Sequence, residues 1–345
     1  MKNVRLEDIA KRLDLTKVSI SKALRDHSDI SEETKEKVKK MAKEMGYRPN
    51  LVARSLTSQK THTIGVIVPK VAHPFFSSVI EGVYQAALES DYEVVLGVTM
   101  EDEDLEQKHI ESMLNMRVDG LLISISEQTQ NLDNFDIVKD MEVDLVFYDR
   151  GFMNSGFTYV KVEDREGARK GVKHMIDQGF RNIAHLSGYL DDAHPVRRNI
   201  GSIGKDRNLG YRDALEEAGI EVDEKAVVEA GYSEDDGYNG FAQMLGQYGQ
   251  PEAIFCVTYP VALGALQYMK DHNINPDDVA LLSFGSSEFN HHLSHPIICI
   301  DQPAFQLGQR SFRQLILEIE SDSKLNPEII SLESNILNDK DLASK

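Results

Sequence analysis

The first 35 residues contain several hydroxyl and ammonium groups that could contact the bases and phosphates of nucleic acid. Lys17, Val18 and Lys22 could read base edges, because an ammonium group donates to guanine acceptors and a valine can contact the thymine methyl group. Hydroxyl and guanidinium groups nearby could bind phosphate oxygens, which fix position without reading sequence. These candidate backbone contacts are Arg5, Thr16, Ser21, Ser31 and Thr34. The sequence therefore predicts a DNA-binding surface.

A second set of polar and aromatic residues follows short apolar runs further along the chain. In open parallel α/β sheets, ligands bind beyond the carboxyl ends of the strands. Residues that come directly after such runs are therefore candidates for lining a small-molecule site. They are His73, Phe75, Phe76, Thr99, Glu101, Ser126, Asp149 and Arg150.

Three short helices are predicted to carry the first set. Apolar residues recur at helical spacing over 6–13, 17–24 and 32–45. Thr16 and Ser31 are suitable N-caps for the second and third helices, and Gly46 ends the third. Two helices joined by a brief turn, with a third behind them, make a helix-turn-helix. A three-helix bundle with no DNA role is the alternative.

From residue 61 onward, apolar runs alternate with helical segments. This pattern predicts parallel sheets covered by helices on both faces. The candidate strands are 63–69, 92–97, 120–125, 143–149, 182–187, 252–257 and 279–284, with one more within 327–334.

Charge is distributed unevenly along the 345 residues, whose formal net charge is −19. Residues 1–60 hold 15 basic and 9 acidic side chains, a net of +6, whereas the rest hold 23 and 48, a net of −25. A basic head on an acidic body can bind a polyanion at one end. With neither an apolar run of about 18 residues nor a secretory signal, we expect a cytoplasmic protein with no membrane partner.

Several enzyme classes lack their signatures here. The sequence holds no Gly-x-Ser-x-Gly or HExxH motif, so no catalytic residue or cofactor is expected. His291, His292 and His295 lie close in sequence but without the cysteines or carboxylates of a metal site. Cys256 and Cys299 sit in apolar runs, which favours buried free thiols.

Five segments together resemble the lactose repressor (LacI) family of transcription factors over almost the whole chain: LEDIAKRLDLTKVSISKAL, SEETKEKV, YRPNLVARSL, TIGVIVP and HPFF. The resemblance implies a repressor that binds a palindromic double-stranded operator as a homodimer. It implies a helix-turn-helix domain at 1–46, a hinge helix and linker at 47–61, and an effector-binding and dimerisation domain at 62–345.

The hinge helix, by the same resemblance, enters the DNA minor groove. Leu56 would be the apolar wedge that unstacks a base step, with Asn50, Ala53 and Arg54 around it. An ordinary amphipathic linker is the alternative. Two departures from the family occur in the head: Lys22 replaces a common arginine and Asp14 replaces a common turn glycine.

The family's body is periplasmic-binding-protein-like, with two doubly wound lobes and an effector cleft between them. The resemblance places three crossovers near 160–162, 286–289 and 321–325. Lobe 1 would then comprise about 62–160 and 288–321, and lobe 2 about 162–286 and 325–336. Ligand in the cleft would change lobe closure and, through it, DNA affinity.

Effector positions carry over only in part. Asp149 and Arg207 match the family, but Thr258-Tyr259 and Gly285 stand where acidic residues are common. Fewer acids, together with arginines such as Arg197, favour a sugar acid or phosphate over a neutral sugar. A solvated loop arginine facing away from the cleft is the alternative for Arg197. The full candidate set is His73, Phe75, Phe76, Asp149, Arg150, Arg197, Arg207, Thr258, Tyr259 and Gly285.

Two other functions remain open at this point. A transport receptor has the same two-lobed body, but it needs a secretory signal and has no DNA-binding head. Alternatively, the body responds to a protein partner, as catabolite control repressors of the family do.

Overall fold

The computed structural model describes residues 4–24, 26–47, 60–127, 129, 132–190 and 203–337. The chain divides into two compact units, Met1–Thr61 and His62–Lys345. Five residues predicted to contact DNA or effector lie outside the described residues: Asn50, Ala53, Arg54, Leu56 and Arg197.

The first unit contains the three predicted helices. They are α1 (Leu6–Leu13), α2 (Lys17–Leu24) and α3 (Glu32–Met45). Their apolar faces meet at Ile9, Ile20 and Val38, none of which is exposed. The helix-turn-helix prediction is confirmed.

Local hydrogen bonds explain where these helices begin and end. The Thr16 hydroxyl accepts from the Ser19 amide at 3.0 Å, and that of Ser31 accepts from the Thr34 amide at 3.4 Å. Each contact satisfies an amide that has no partner within its helix. Asp14, with φ of 54°, adopts the left-handed conformation that ends α1. Aspartate tolerates this conformation better than most residues, so replacing the turn glycine leaves the turn intact.

The second unit contains two six-stranded sheets. The lobe 1 strands are β1 (Thr63–Val68), β2 (Glu93–Val98), β3 (Gly120–Ile123), β4 (Asp144–Tyr148), β5 (Thr158–Val162) and β11 (Ile329–Leu332). The lobe 2 strands are β6 (Ile183–Ser187), β7 (Val227–Glu229), β8 (Ala253–Cys256), β9 (Ala280–Phe284), β10 (Ile298–Asp301) and β12 (Asn335–Ile336). The orders are β2-β1-β3-β4-β5-β11 and β7-β6-β8-β9-β10-β12. Every pairing is parallel except that of β10 with β12.

Helices cover both faces of each sheet, as the alternating pattern predicts. In lobe 1, α4 (Pro74–Glu89) and α11 (Ala304–Glu320) cover one face, and α5 (Glu103–Asn115) and α6 (Asp136–Asp140) cover the other. In lobe 2, α7 (Asp164–Asp177) and α8 (Ile203–Glu217) lie opposite α9 (Glu234–Gln247) and α10 (Tyr259–Asp271). Both predicted thiols, Cys256 and Cys299, are buried and free.

Strand pairing corrects two of the three expected crossovers. The first, between β5 and α7, lies close to the expected 160–162. The second lies at 301–304 instead of 286–289, because the apolar run 298–301 pairs with β9 and so extends the lobe 2 sheet. The third lies at 332–335 instead of 321–325, because β11 first returns to pair with β5. Lobe 1 therefore includes 304–332, and lobe 2 extends to residue 301.

Helices α4 and α11 approach each other through glycines. A Cβ atom on Gly82 would lie 2.0 Å from the Phe305 carbonyl oxygen, and one on Gly308 would lie 2.1 Å from that of Val79. Backbone atoms cannot move aside as a flexible side chain would. The close contact of these two helices therefore requires glycine at both positions.

We predict that Gly82→Ala lowers the free energy of unfolding by about 1–3 kcal/mol, because the added methyl group forces the two helices apart. Gly246→Ala in α9 is the matched control. Its Cβ would meet nothing within 4 Å, so we expect a gain of about 0.5–1 kcal/mol from helix propensity. Urea denaturation measures both changes. Equal effects of the two substitutions would contradict the close-contact explanation.

Candidate functional site

A cavity of about 120 Å³ lies between the two lobes, at the carboxyl ends of their strands. Seven of the predicted effector residues line it: His73, Phe75, Phe76, Asp149, Arg150, Arg207 and Thr258. Glu101 and Ser126, which follow β2 and β3, also line it. The cavity is similar in volume to an engineered one that accepts a benzene ring. It can therefore receive a ligand of about the size of one sugar ring.

Three predicted residues do not line the cleft. The side chain of Tyr259, the first residue of α10, turns into the lobe 2 core, where its hydroxyl donates to Asn290 Oδ1 at 3.1 Å. Gly285 is not among the lining residues, and a Cβ atom added to it would lie 2.8 Å from Oε1 of Gln302, which does line the cavity. Thr99 also lies behind the lining, where its hydroxyl accepts from Ser126 Oγ at 2.6 Å.

Asp149 is the buried carboxyl group of the cleft. Burial raises its pKa to about 7, although Arg150, whose Nε lies 3.8 Å from Oδ2, partly opposes that rise. Its backbone adopts a left-handed φ of 58°, and its carbonyl oxygen accepts from the Tyr159 hydroxyl at 2.7 Å. The rigid backbone fixes the carboxyl group where it can donate or accept according to its protonation.

A bidentate ion pair with Glu101 holds the Arg150 side chain in place. Its two terminal nitrogens donate to the two carboxylate oxygens of Glu101 at 2.8 and 3.2 Å. Met100 and Glu101 are consecutive left-handed residues, with φ of 53° and 66°. Such strained non-glycine backbone persists where the surroundings fix it, commonly at functional sites. Glu101 thus orients the guanidinium group of Arg150 and balances its charge.

Arg207 reaches the cleft from α8 but is already extensively bonded. Its Nε and one terminal nitrogen donate to Asp164 Oδ1 at 2.8 and 2.7 Å, and the other terminal nitrogen donates to the Val257 carbonyl at 2.6 Å. The guanidinium carbon lies 3.7 Å from the centroid of the Phe284 ring. A guanidinium group has five N–H donors, so two of them have no partner among the described residues.

His73 caps the first turn of α4. Its Nδ1 accepts from the Phe75 amide at 3.3 Å, which places the proton of the neutral ring on Nε2. Burial, and secondarily Arg150, lower the pKa of His73 to about 4. The residue is therefore neutral at pH 7, and Nε2–H is a donor.

The exposed side of α2 in the first unit carries the predicted base-reading residues. Val18 is 64% exposed, as an apolar contact for DNA must be. Lys17 Nζ lies 2.7 Å from Glu7 Oε1, and Lys22 pairs with Asp29. Both ammonium groups are solvent-accessible and could exchange these carboxylates for DNA acceptors.

Comparison with known families decides the identity of the chain. A family model described as "Bacterial regulatory proteins, lacI family" matches residues 5–50, and one described as "Periplasmic binding proteins and sugar binding domain of LacI family" matches residues 61–334. The chain belongs to the LacI family. It is a transcriptional repressor with a helix-turn-helix domain and a sugar-binding domain, and it is not an enzyme.

Relatives of this LacI-family repressor match it over nearly their full length. The "HTH-type transcriptional repressor PurR" of Vibrio atlanticus (strain LGP32) is 28% identical, covering 94% of this chain and 96% of the relative. "Catabolite control protein A" of Priestia megaterium is 27% identical, with 91% and 92% covered. A structure titled "transcriptional regulator CelR-cellobiose complex" matches with a TM-score of 0.70 at 25% identity, covering 97% of this chain and 99% of the other. The lac repressor dimer bound to operator and an anti-inducer shares the fold, with a TM-score of 0.80 at 22% identity and 98% of each chain covered.

The charges of the repressor's cleft bear on its expected anionic effector. Glu101 compensates Arg150, and Asp164 compensates Arg207. Among the described lining residues, each arginine therefore has a carboxylate partner. The preference for an anion therefore rests on Lys70, which also lines the cavity, on Arg197, outside the described residues, and on the two Arg207 donors without a described partner.

Sequence reasoning missed several lining residues. They are Lys70, Ile125, Glu127, Tyr189, Ile203, Tyr232 and Gln302. Tyr189 and Gln302 follow β6 and β10, so the rule that led to Asp149 also applies to them. Gln302 was missed because the run 298–301 was interpreted only as the setting of a buried thiol.

The described residues lack two further features. No three or more His, Cys, Asp or Glu side chains there converge as metal ligands, and His295 instead lies 3.0 Å from Asp277. No helix in that part of the chain is long and apolar enough to cross a bilayer.

The raised pKa of Asp149 predicts a pH-dependent stability. Unfolding returns its pKa from about 7 to near 3.8, so the folded state binds more protons between these values. We therefore expect the Asp149 carboxyl group to lower the free energy of unfolding as pH rises from about 4 to 7, and Asp149→Asn to remove that part of the slope. Urea denaturation at several pH values measures it. Asp136→Asn, at an exposed position of α6, is the control. An unchanged dependence of the unfolding free energy on pH in Asp149→Asn would contradict the prediction.

Proposed function

We propose that this LacI-family repressor binds a palindromic operator as a dimer and that a sugar-like molecule in the interlobe cleft controls its affinity for DNA. The observation that carries the proposal is the cleft at the facing strand ends of two doubly wound lobes, where charged and hydrogen-bonding side chains lie among aromatic ones, in a chain that also contains a helix-turn-helix. Because operator DNA is the proposed partner, we place the repressor in the bacterial cytoplasm.

DNA reading is assigned to the exposed side of α2. Lys17, Val18 and Lys22 would contact base edges in the major groove. Lysine at position 22 is a point charge, whereas an arginine could donate two hydrogen bonds to one base. We therefore expect Lys22 to discriminate less strongly among bases than an arginine would. Arg5, Thr16, Ser21, Ser31 and Thr34 would bind the phosphate backbone.

The linker is assigned to the minor groove. Leu56 would enter between base pairs at the operator centre, with Asn50, Ala53 and Arg54 contacting the groove around it. Partial unstacking lets a protein select DNA sequences that bend easily. The motifs in 47–56 support this assignment.

Dimerisation is assigned to an apolar surface on lobe 1. Tyr84 and Leu88, one turn apart on α4, are 49% and 77% exposed, and Leu96 on the edge strand β2 is 40% exposed. Apolar side chains grouped on a helix and the neighbouring sheet edge are typical of a protein interface. A second copy related by a twofold axis would cover the same surface on both subunits.

The cleft suits a molecule rich in hydroxyl groups. His73 can donate a hydrogen bond, and Asp149 can donate or accept one. Thr258 and Gln302 are further polar lining residues, and Phe75 and Phe76 are aromatic ones. Similar proteins include the "Ribose operon repressor" of Haemophilus influenzae, 28% identical. A sugar acid or phosphate is the second candidate, because two N–H donors of Arg207 have no partner among the described residues.

The DNA assignment predicts the outcome of operator selection. Selection from random duplexes should give a motif with twofold symmetry. Leu56→Ala should weaken binding to that motif at least tenfold while leaving binding to a scrambled duplex nearly unchanged, because only the operator centre rewards the wedge. Fluorescence anisotropy measures both affinities. Equal losses on the two duplexes would contradict the wedge assignment, and a motif without symmetry would contradict the dimer.

The effector assignment predicts calorimetric binding within a small panel. We would titrate D-ribose, D-glucose and cellobiose beside ribose 5-phosphate and gluconate. One of the neutral sugars should bind, and Asp149→Asn should weaken that binding about tenfold or more, because the amide offers one acceptor oxygen where the carboxyl group offers two. Tight binding of an acidic compound alone would select the anionic candidate. If none binds and a copurifying protein enhances operator affinity, control by a small molecule is wrong.

A further inference from the structure

The loop that follows β3 forms part of the cleft wall, and carboxylates outside the loop accept hydrogen bonds from it. Ser126 and Glu127 of this loop line the cavity. Both residues donate their backbone amides to carboxylates of the segment that follows β2. That segment comprises residues 101–106, which include the first turn of α5.

Glu106 is the deeper of the two carboxylates. Its Oε2 accepts from the Ser126 amide at 2.6 Å, and its Oε1 accepts from the Thr129 hydroxyl at 2.8 Å. The residue has no solvent exposure and is not among those lining the cavity. One carboxylate thus binds two residues of the loop, Ser126 and Thr129.

Glu101 is the second carboxylate and connects the loop to the next strand. Its Oε2 accepts from the Glu127 amide at 2.8 Å while both its oxygens bind Arg150. The position of Glu127 therefore depends on the same group that orients Arg150. A displacement of the loop would move the guanidinium group in the cleft.

Folding alone does not require an acid at position 106. The neighbouring inward residues of α5, Ile110, Met113 and Leu114, are apolar and buried. Burying a carboxyl group among them is costly, and an apolar side chain of similar volume would remove that cost. The Glu106 carboxylate instead accepts hydrogen bonds from the two loop donors, the Ser126 amide and the Thr129 hydroxyl.

We propose that Glu106 is a positioning residue for effector binding, one that sets the loop 124–129 and, through Glu101, the guanidinium group of Arg150. This role rests on the proposed function of the cleft. Glu106 itself does not touch the ligand. Its effect on affinity passes through Ser126, Glu127 and Arg150.

Two substitutions separate this role from a general contribution to stability. Glu106→Met keeps the volume but leaves the Ser126 amide and the Thr129 hydroxyl without an acceptor. Glu106→Gln can still accept from the amide through its oxygen and donate to the Thr129 hydroxyl through its nitrogen. Because burial raises the pKa of Glu106 to about 7, a neutral side chain is compatible with the site.

Hydrogen–deuterium exchange of the full chain without ligand measures the loop directly. In Glu106→Met we expect exchange in peptides covering 124–129 and 149–151 to rise about tenfold or more, because the Ser126 amide and the Thr129 hydroxyl lose their buried acceptor. Exchange in β1 and β4 should change little. Glu106→Gln should restore most of the protection, and Thr129→Val should show an intermediate loss.

Glu111→Met on the exposed side of α5 is the matched control and should leave both peptides unchanged. Unchanged exchange at 124–129 in Glu106→Met would overturn the proposal. So would a uniform rise across lobe 1, or a failure of Glu106→Gln to restore protection, since either means that the acid only supports the fold. These outcomes need neither DNA nor sugar, so they are distinguishable from a failure of the proposed function.

Discussion

Parallel strand pairing is the constraint from which the cleft follows. All the parallel strands of a lobe place their carboxyl ends at the same edge of the sheet, and the loops beyond that edge converge where the strand order reverses. In both lobes the reversal lies beside the strand that begins the lobe, β1 or β6. Because these two edges face each other, residues far apart in sequence, such as His73 and Thr258, line one cavity.

The cleft holds several charges, and most of them are compensated within the protein. Arg207 is bound by Asp164, and Arg150 is bound by Glu101. Removing one partner from a buried pair leaves an uncompensated charge, which is far more costly than the pair itself is beneficial. These pairs therefore act mainly to fix geometry, and the donors and acceptors left over define what a ligand can bind.

The sequence predicted the two domain types and most strands, and seven of the ten residues predicted for the effector site line the cavity. Local patterns and the family resemblance together carried these predictions. Apolar runs ending in Asp149 or His73 mark strand ends without any knowledge of pairing. Pairing itself was the limit: β10 was missed since a four-residue apolar run does not reveal which sheet it joins. The inward turn of Tyr259 likewise depends on Asn290, 31 residues away.

Helix α4 begins at the cleft and ends at the apolar surface of lobe 1. His73 caps its first turn, Leu88 lies in its last, and Gly82 holds its middle against α11. A helix of 16 residues is about 24 Å long and bends little. Because the glycine contact holds the helix near its middle, a tilt of its cleft end would displace its Leu88 end in the opposite direction.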